Sequence, residues 1–516
     1  MEAQVGPEVQ QLRTYGNFRR PRSAGLGGLG LVPTAVLFVF LAIAGTLAPL
    51  DFMLAGLVAL VGVVVLAPLA IRDRYGRHLG TLMYSRLAWG VGVMKGQNVY
   101  RSGVLSKVPG GKSLLPGLAM ASDMYEATDG LGRPFGMIHY HDVEHYAVTI
   151  ACSSQGGSLV DQGDIDSWVA NWGQFMRTMS GEPSLVGFQV VVEVAPDSGE
   201  KLHNEITHQA SDTASRLARQ VMADIDRDYP SGSPTINTYL SLVYDASSAI
   251  GRSKRAASDM AVEIGRRLPS LTARLATTGA GACAPLSATE IAEVVRTAYE
   301  PGVSQLIDQA RAAGRDSGLT WSQAGPTTHV ARSKSYWHDG ATSVTWMMGE
   351  APRGEVFSDV LRNLLSAHGD IDRKRVSLIY RPHSPAEAAT IADRDFRAAR
   401  SRTETTRNGQ AHAEAEYIAA AQTRQEEARG AGLTLFGLVV TATVLDNDDE
   451  ADGQGGEGGG KNRMQAAEVA VENLSAPARI ALRYAWGSQD AGFLAALPIG
   501  VILPEHVAMK LPKTLK

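Results

Sequence analysis

The sequence predicts an α+β body of two related lobes, anchored by an N-terminal transmembrane hairpin of two helices. Three observations predict it. Residues 31–71 carry a single charge, Asp51, in an otherwise apolar run. From residue 134 onward, stretches of strand-like alternation and helical spacing take turns. The order hairpin, helix, strand, helix, strand then occurs twice.

The 516 residues leave room for a sizeable core and more than one domain. At 44% hydrophobic and 20% charged residues, the chain outside the apolar run has the composition of globular material. Its net charge of −4 argues against direct nucleic-acid binding, which wants a basic surface. Cys152 and Cys283 are too few for a disulfide framework or a zinc cluster, and two thiols in so long a chain fit a reducing compartment.

Taken in order, residues 1–30 read as a basic, flexible cytoplasmic tail. Their GLGGLG run, Gly25–Gly30, matches the dinucleotide fingerprint in spelling alone, because no strand precedes it and no βαβ unit follows. Residues 31–50 and 52–71 are each long enough to cross a hydrocarbon core of about 30 Å once. Pro49 and Asp51 mark the turn between them. Arg19, Arg20 and Arg22 precede the hairpin and Arg72, Arg74 and Arg77 follow it. Basic flanks stay inside, so the expectation is a multi-pass protein of the cell membrane with both termini cytoplasmic.

Residues 72–130 read as a juxtamembrane connector. Gly111-Lys112-Ser113 has the ending of a phosphate-binding loop, but Ser106 stands where that loop needs glycine and Pro116 would stop the following helix. The first lobe, 131–320, is expected to hold a hairpin at 135–140 and 146–151, helices at 164–180 and 200–226, and strands at 186–194 and 235–244. Further helices follow at 254–277, 287–299 and 303–313, the second opened by a Ser287–Glu290 capping box. The second lobe, 321–516, is expected to hold a hairpin at 328–337 and 342–348, a helix at 354–367 and a strand at 375–381. A long charged helix over 384–428 and a strand over 432–445 come next. Residues 446–460, acidic and glycine-rich, read as a disordered loop. A helix at 463–473 and a strand near 478–484 follow it. The two hairpins share a local pattern, with Tyr140-His141-Asp142 matched by Trp337-His338-Asp339.

Candidate chemistry is sparse. His139, His141 and His145, with Glu144, form the densest titratable cluster, and imidazole and carboxylate are zinc ligands. They straddle a hairpin turn, where polar residues are expected in any case. No nucleophile elbow occurs, and Cys152 ends an apolar strand as a structural thiol does. The arginines of 384–428 alternate with acids, as on a solvated helix. No catalytic residue and no cofactor is therefore expected.

Several stretches resemble known families. The basic tail and apolar hairpin are similar to the PrgI-like membrane proteins of conjugative systems. Lys107–Leu118, Asp129–Arg133, the 135–151 hairpin, Glu426–Gly432, the strand LTLFGLVVTATVL and Phe493–Gly500 resemble the N-terminal, non-motor region of conjugative ATPases of the TraC/TrbE/CagE kind. The motor and its phosphate-binding loop have no counterpart here, so ATP hydrolysis is not carried over. The combination resembles an actinobacterial family of conjugation-associated integral membrane proteins. That resemblance implies a non-catalytic, membrane-anchored structural component of a type IV-like secretion or conjugative DNA-transfer apparatus. Its partners would be the membrane, a separate ATPase and other membrane subunits in an oligomeric complex. Two alternatives are an EccE-like component of type VII secretion and a membrane-bound metal-dependent enzyme.

Overall fold

A computed structural model describes residues 14–16, 18, 31–71, 73, 77–103, 106, 109–154, 156, 160–196, 206–207, 211, 213–228, 234–246, 254–352, 354–405, 410–446 and 459–507. Helices α1 (Leu31–Leu47), α2 (Phe52–Ala70) and α3 (Leu79–Met94) come first. Strands β1 (Val99–Arg101), β2 (Ser122–Thr128), β3 (Pro134–Tyr140) and β4 (His145–Ser153) follow. Then come α4 (Gln162–Ser180), β5 (Leu185–Pro196), α5 (Arg216–Asp228), β6 (Pro234–Asp245), α6 (Ala257–Leu275), β7 (Ala282–Pro285), α7 (Ala288–Tyr299) and α8 (Ser304–Ala312). The later part holds β8 (Thr328–Ala331), β9 (Tyr336–His338), β10 (Ala341–Glu350), α9 (Arg362–Leu365), β11 (Arg373–Pro382), α10 (Pro385–Thr405) and α11 (Gln410–Ala428). It closes with β12 (Thr434–Leu445), α12 (Gly459–Ser475), β13 (Ala481–Tyr484), α13 (Gln489–Ala496) and α14 (Leu503–Val507).

The expected transmembrane hairpin is corrected. Residues 31–71 do form two packed helices, with Phe40 of α1 against Gly62 of α2. Yet α1 stops after 17 residues at Leu47, which at about 1.5 Å per residue falls short of a hydrocarbon core. In α2, Pro68 stands within the last turn and removes one backbone donor. Among the described residues, no helix is long and apolar enough to cross a membrane. The multi-pass membrane localisation loses its basis, and with it the assignment of both termini to one side. Asp51 instead caps α2, its Oδ1 accepting from the backbone N–H of Met53 at 2.9 Å and of Leu54 at 3.2 Å.

Among the described residues, all thirteen strands belong to one sheet, paired antiparallel throughout. The expected lobes are two halves of it. One half runs β2-β3-β4-β6-β5 and meets the other, β11-β12-β10-β9-β8, in reversed order. Strand β7 lies beside β4, and β13 lies beside β10 in the corresponding place. The registers agree as well: Thr149 faces Ser241, as Thr345 faces Thr441. The relation is a twofold pseudosymmetry whose axis passes through the opposed pair Val191 and Ser377, where β5 meets β11. The connector is part of the sheet too, since β1 extends one edge beyond β8 and β2 forms the other edge.

Alternation along each strand gives the sheet two faces. On the outer face, Phe175 and Met179 of α4 and Met260, Ile264 and Leu268 of α6 pack on β3, β4, β5 and β6. In the second half, Met464, Ala467 and Val471 of α12 cover Val344, Trp346, Val440 and Val444. On the inner face, α7 and α13 share one core with Ile138, Tyr140, Val243, Tyr336 and Val439. Helix α7 opens with the expected box: Ser287 Oγ accepts from the Glu290 N–H at 3.3 Å and Glu290 Oε2 from the Ser287 N–H at 2.8 Å.

Three further readings are corrected. The 384–428 helix is two helices, α10 and α11, folded back on each other, so that Phe396 lies 5.4 Å from Tyr417 and Arg402 3.2 Å from Glu416. Residues 406–409, between the two, lie outside the described residues; in sequence they include Asn408 and Gly409, both poor helix formers. The 328–337 strand is β8 and β9, joined by a turn in which the Arg332 N–H donates to Ser335 O at 2.8 Å. Of the 354–367 helix only α9 forms. The GLGGLG run, residues 200–205, 208–210 and 212 of the expected 200–226 helix, and residues 447–458 of the acidic loop lie outside the described residues; the later part of that helix is α5.

Candidate functional site

The inner face is unusually polar for a core. Gln189, Ser241, Ser343, Thr345, Ser377, Thr441, Thr149 and His338 are all fully buried there. Burying such groups is costly unless each finds a partner. They find one another across neighbouring strands: Thr149 and Ser241 at 3.0 Å, Thr345 and Thr441 at 2.9 Å, Ser343 and Thr443 at 2.7 Å.

The remaining donors hold the stretch Gln489–Ile502 against this face. Gln189 Nε2 donates to Ala495 O at 2.7 Å and to Ser377 Oγ at 2.7 Å, while its Oε1 accepts from the Gly500 N–H at 3.2 Å. Thr149 Oγ1 donates to Pro498 O at 2.7 Å, and the Tyr140 hydroxyl to Ile499 O at 2.8 Å. Gln489 pairs with the backbone of Thr345 as a strand neighbour would: its Oε1 accepts from the Thr345 N–H at 2.8 Å and its Nε2 donates to Thr345 O at 3.2 Å. Gly500 has φ +73°, and a Cβ there would meet Val243 at 2.7 Å and Ala147 at 2.9 Å. Phe493–Gly500, noted above for its resemblance to a stretch preceding a motor domain, is thus an integral part of the core.

Beside the twofold axis sits an ionic cluster. Glu193 of β5 lies 3.1 Å from Arg373 Nη1 and 2.8 Å from Arg375 Nη2, all three buried. Burial alone would raise the Glu193 carboxyl, but the two guanidinium groups outweigh it and hold it below the usual range. Under the pseudosymmetry Arg375 occupies the place of Gln189, so one half uses a cation where the other uses an amide.

His338 illustrates how tightly this face is specified. Its Nδ1 is 2.5 Å from Tyr299 O and its Nε2 2.8 Å from Ser343 Oγ. A carbonyl only accepts, so Nδ1 carries the proton and Nε2 accepts from the serine hydroxyl. Burial pushes its pKa down to about 3. His329 is pushed down to about 4 by the same cause.

The sequence-selected histidines do not converge. His139 and His141 project from one face, with ring centroids 4.3 Å apart. His139 stacks on Tyr146 at 4.2 Å and its Nε2 is 3.5 Å from Glu144, which also pairs with Lys254 at 2.5 Å. His141 Nε2 is 2.8 Å from Asp123 Oδ2. His145, opposite Tyr140 in the ladder, faces the other side, toward His506. Among the described residues no group of three or more His, Cys, Asp or Glu is placed to hold a metal ion.

The other selected residues have structural surroundings. Ser113 O accepts from the Gly325 N–H at 2.8 Å, and Leu114 O from the Tyr100 hydroxyl at 2.8 Å, so Gly111–Leu114 is tied to β1 and to the turn before β8 rather than opening a helix. Arg77 pairs with Asp73, whose Oδ1 accepts from the Arg77 N–H at 2.9 Å. Arg19, Arg20, Arg22, Arg72 and Arg74 lie outside the described residues. The buried Gln189, Glu193, Arg373 and Arg375 went unread in the sequence. A charged or amide residue inside a strand otherwise built of valines was the available signal.

Residues 22–81 match the model of a domain of unknown function, DUF8461. That segment includes α1, α2 and the first residues of α3, and stops short of the sheet. No curated protein matches the chain.

Proposed function

We propose that this chain is a non-catalytic structural component of a type IV-like secretion or conjugative DNA-transfer apparatus, a platform on which a separate ATPase assembles. The observation that carries the reading is the apolar surface of α1–α3. Phe38, Leu41, Leu57, Leu60, Val63 and Leu87 are all more than half exposed. Apolar surface spread over three consecutive helices is the mark of a contact surface for other subunits. The sheet, by contrast, is an internally bonded body with a buried core on each face, suited to holding that surface in place. The resemblance of the sheet-forming stretches to the non-motor region of conjugative ATPases supports a motor as the partner.

The test is co-purification. Full-length chain expressed with the genes of its own genetic element is expected to retain an ATPase through purification. A variant with Leu57→Glu and Leu60→Glu is expected to lose it while keeping its far-UV circular dichroism. A chain that emerges as a partnerless monomer from the same cells overturns the reading.

A further inference from the structure

The chain has two cysteines in 516 residues, and the fold sets them face to face. Cys152 of β4 is in register with Cys283 of β7, 131 positions away, and their Sγ atoms are 3.7 Å apart. Their place in the ladder suits a covalent bond. The Leu286 N–H donates to Thr149 O at 2.9 Å, which makes Thr149 and Leu286 a hydrogen-bonded pair. Pairs alternate along an antiparallel ladder, so Cys152 and Cys283, three positions on, form a non-hydrogen-bonded pair. In such pairs Cα atoms approach to about 4.5 Å, inside the roughly 4.4–6.8 Å that a disulfide spans. Both side chains are partly exposed.

The fold does not require thiols at this point. In the second half of the sheet, Met348 faces Leu482 in the corresponding place between β10 and β13. Two ordinary apolar side chains satisfy the packing there. We propose that Cys152 and Cys283 are a redox modification site, a dithiol that hydrogen peroxide converts to a cross-strand disulfide.

The two thiols have different roles. The Cys152 S–H can donate to a Cys283 thiolate, which holds Cys283 below the ordinary thiol range, while that bond and burial push Cys152 up. The Cys283 thiolate attacks peroxide. A sulfur–oxygen bond forms, the oxygen–oxygen bond breaks, and the departing hydroxide takes up a proton to become water. The Cys152 sulfur then attacks the Cys283 sulfenic acid. The sulfur–sulfur bond forms, the sulfur–oxygen bond breaks, and the second oxygen leaves as water with the Cys152 proton. Two thiols and one hydrogen peroxide give one disulfide and two waters. The bond pins the four-residue strand β7, and through it the exit of α6, to β4.

The experiment treats the folded, full-length chain with hydrogen peroxide, alkylates remaining thiols and maps peptides by mass spectrometry. A linked Cys152–Cys283 peptide, two hydrogens lighter than its parts and released by dithiothreitol, is the expected result. The oxidised chain is expected to melt several degrees higher than the reduced one. Cys283→Ser is expected to leave Cys152 alkylatable after peroxide, because the attacking thiolate is gone. Cys152→Ser is expected to carry Cys283 to sulfinic acid. If the wild-type chain, folded by circular dichroism, keeps both thiols alkylatable, or over-oxidises without a linked peptide, the proposal fails. That wild-type readout holds whether or not either serine variant folds.

Discussion

Gln189, at the centre of the sheet, holds Ala495 and Gly500 at once, donating to the carbonyl of one and accepting from the N–H of the other. A single amide therefore bridges the two ends of the Ala495–Gly500 stretch. Truncating it leaves the buried Gly500 N–H without a partner, at about 1–3 kcal/mol, and the Ala495 carbonyl with only the Ser377 hydroxyl at 3.5 Å. Gln189→Ala is expected to lower unfolding stability by roughly 1–4 kcal/mol. Amide exchange at residues 499–501 is expected to accelerate more than elsewhere. A change in denaturant midpoint worth less than about 0.5 kcal/mol would remove Gln189 from this role.

The ionic cluster makes a sharper demand. Glu193→Gln keeps the shape but leaves Arg373 and Arg375 buried side by side without a counter-charge. Breaking a buried ion pair from one side costs about 3–5 kcal/mol, and thermal melting of the variant is the measurement. Replacing all three residues by apolar ones of similar volume is expected to recover most of that loss, since the desolvation of the charges disappears with them. A Glu193→Gln protein that melts with the wild type would falsify this account of the cluster.

Stability is expected to depend on pH through the buried histidines. The folded pKa of His338, about 3, lies below the ordinary value of 6.5, so the unfolded chain binds the proton more readily. Its contribution is fully present above about pH 6.5 and is lost progressively as pH falls toward about 3. At about pH 5 the loss from His338 alone is on the order of 2 kcal/mol. His329 and His506, both pushed down to about 4, act in the same direction. Urea midpoints at about pH 5 and pH 7.5 check this. His338→Asn, which retains a donor near Tyr299 O, is expected to narrow the difference between them.

The α10–α11 hairpin separates a strong contact from a weak one. Arg402 and Glu416 are paired at 3.2 Å but both about a third exposed, so Arg402→Ala is expected to cost less than about 1 kcal/mol. Phe396 packs at a tilt against Tyr417 and lies 3.8 Å beneath the Arg424 guanidinium. Phe396→Ala removes both contacts and is expected to open the hairpin to limited proteolysis while the sheet stays folded. Equal protease resistance in the two variants contradicts that ranking.

The sequence was informative where the cause was local. Trp168, Trp172, Phe175 and Met179 recur at helical spacing, and α4 is there. Ser287 and Glu290 spell a capping box, and α7 starts between them. Apolar alternation placed β3, β4, β6 and β11 to within about two residues. What escaped was set by distant partners. Nothing near Val191 announces that it will face Ser377, so the joining of the halves into one sheet was invisible. Three-residue β1 and four-residue β7 are too short for periodicity to register. The span of residues 31–71 rests on hydrophobicity and on the turn marked by Pro49 and Asp51, which do not say that α1 ends at Leu47 or that Pro68 falls within α2.

The twofold axis between Val191 and Ser377 has a consequence for how the molecule can change. A symmetric homodimer must accept every substitution twice, once on each side of its axis. Here both sides are encoded separately in a single chain. One copy of each position can therefore be altered while the other keeps the architecture. Gln189 seats the closing stretch of chain while its counterpart Arg375 engages Glu193. The thiols of Cys152 and Cys283 sit where their counterparts are Met348 and Leu482. The protein has the frame of a dimer and the freedom of a heterodimer, with a fixed one-to-one ratio and no dissociation constant.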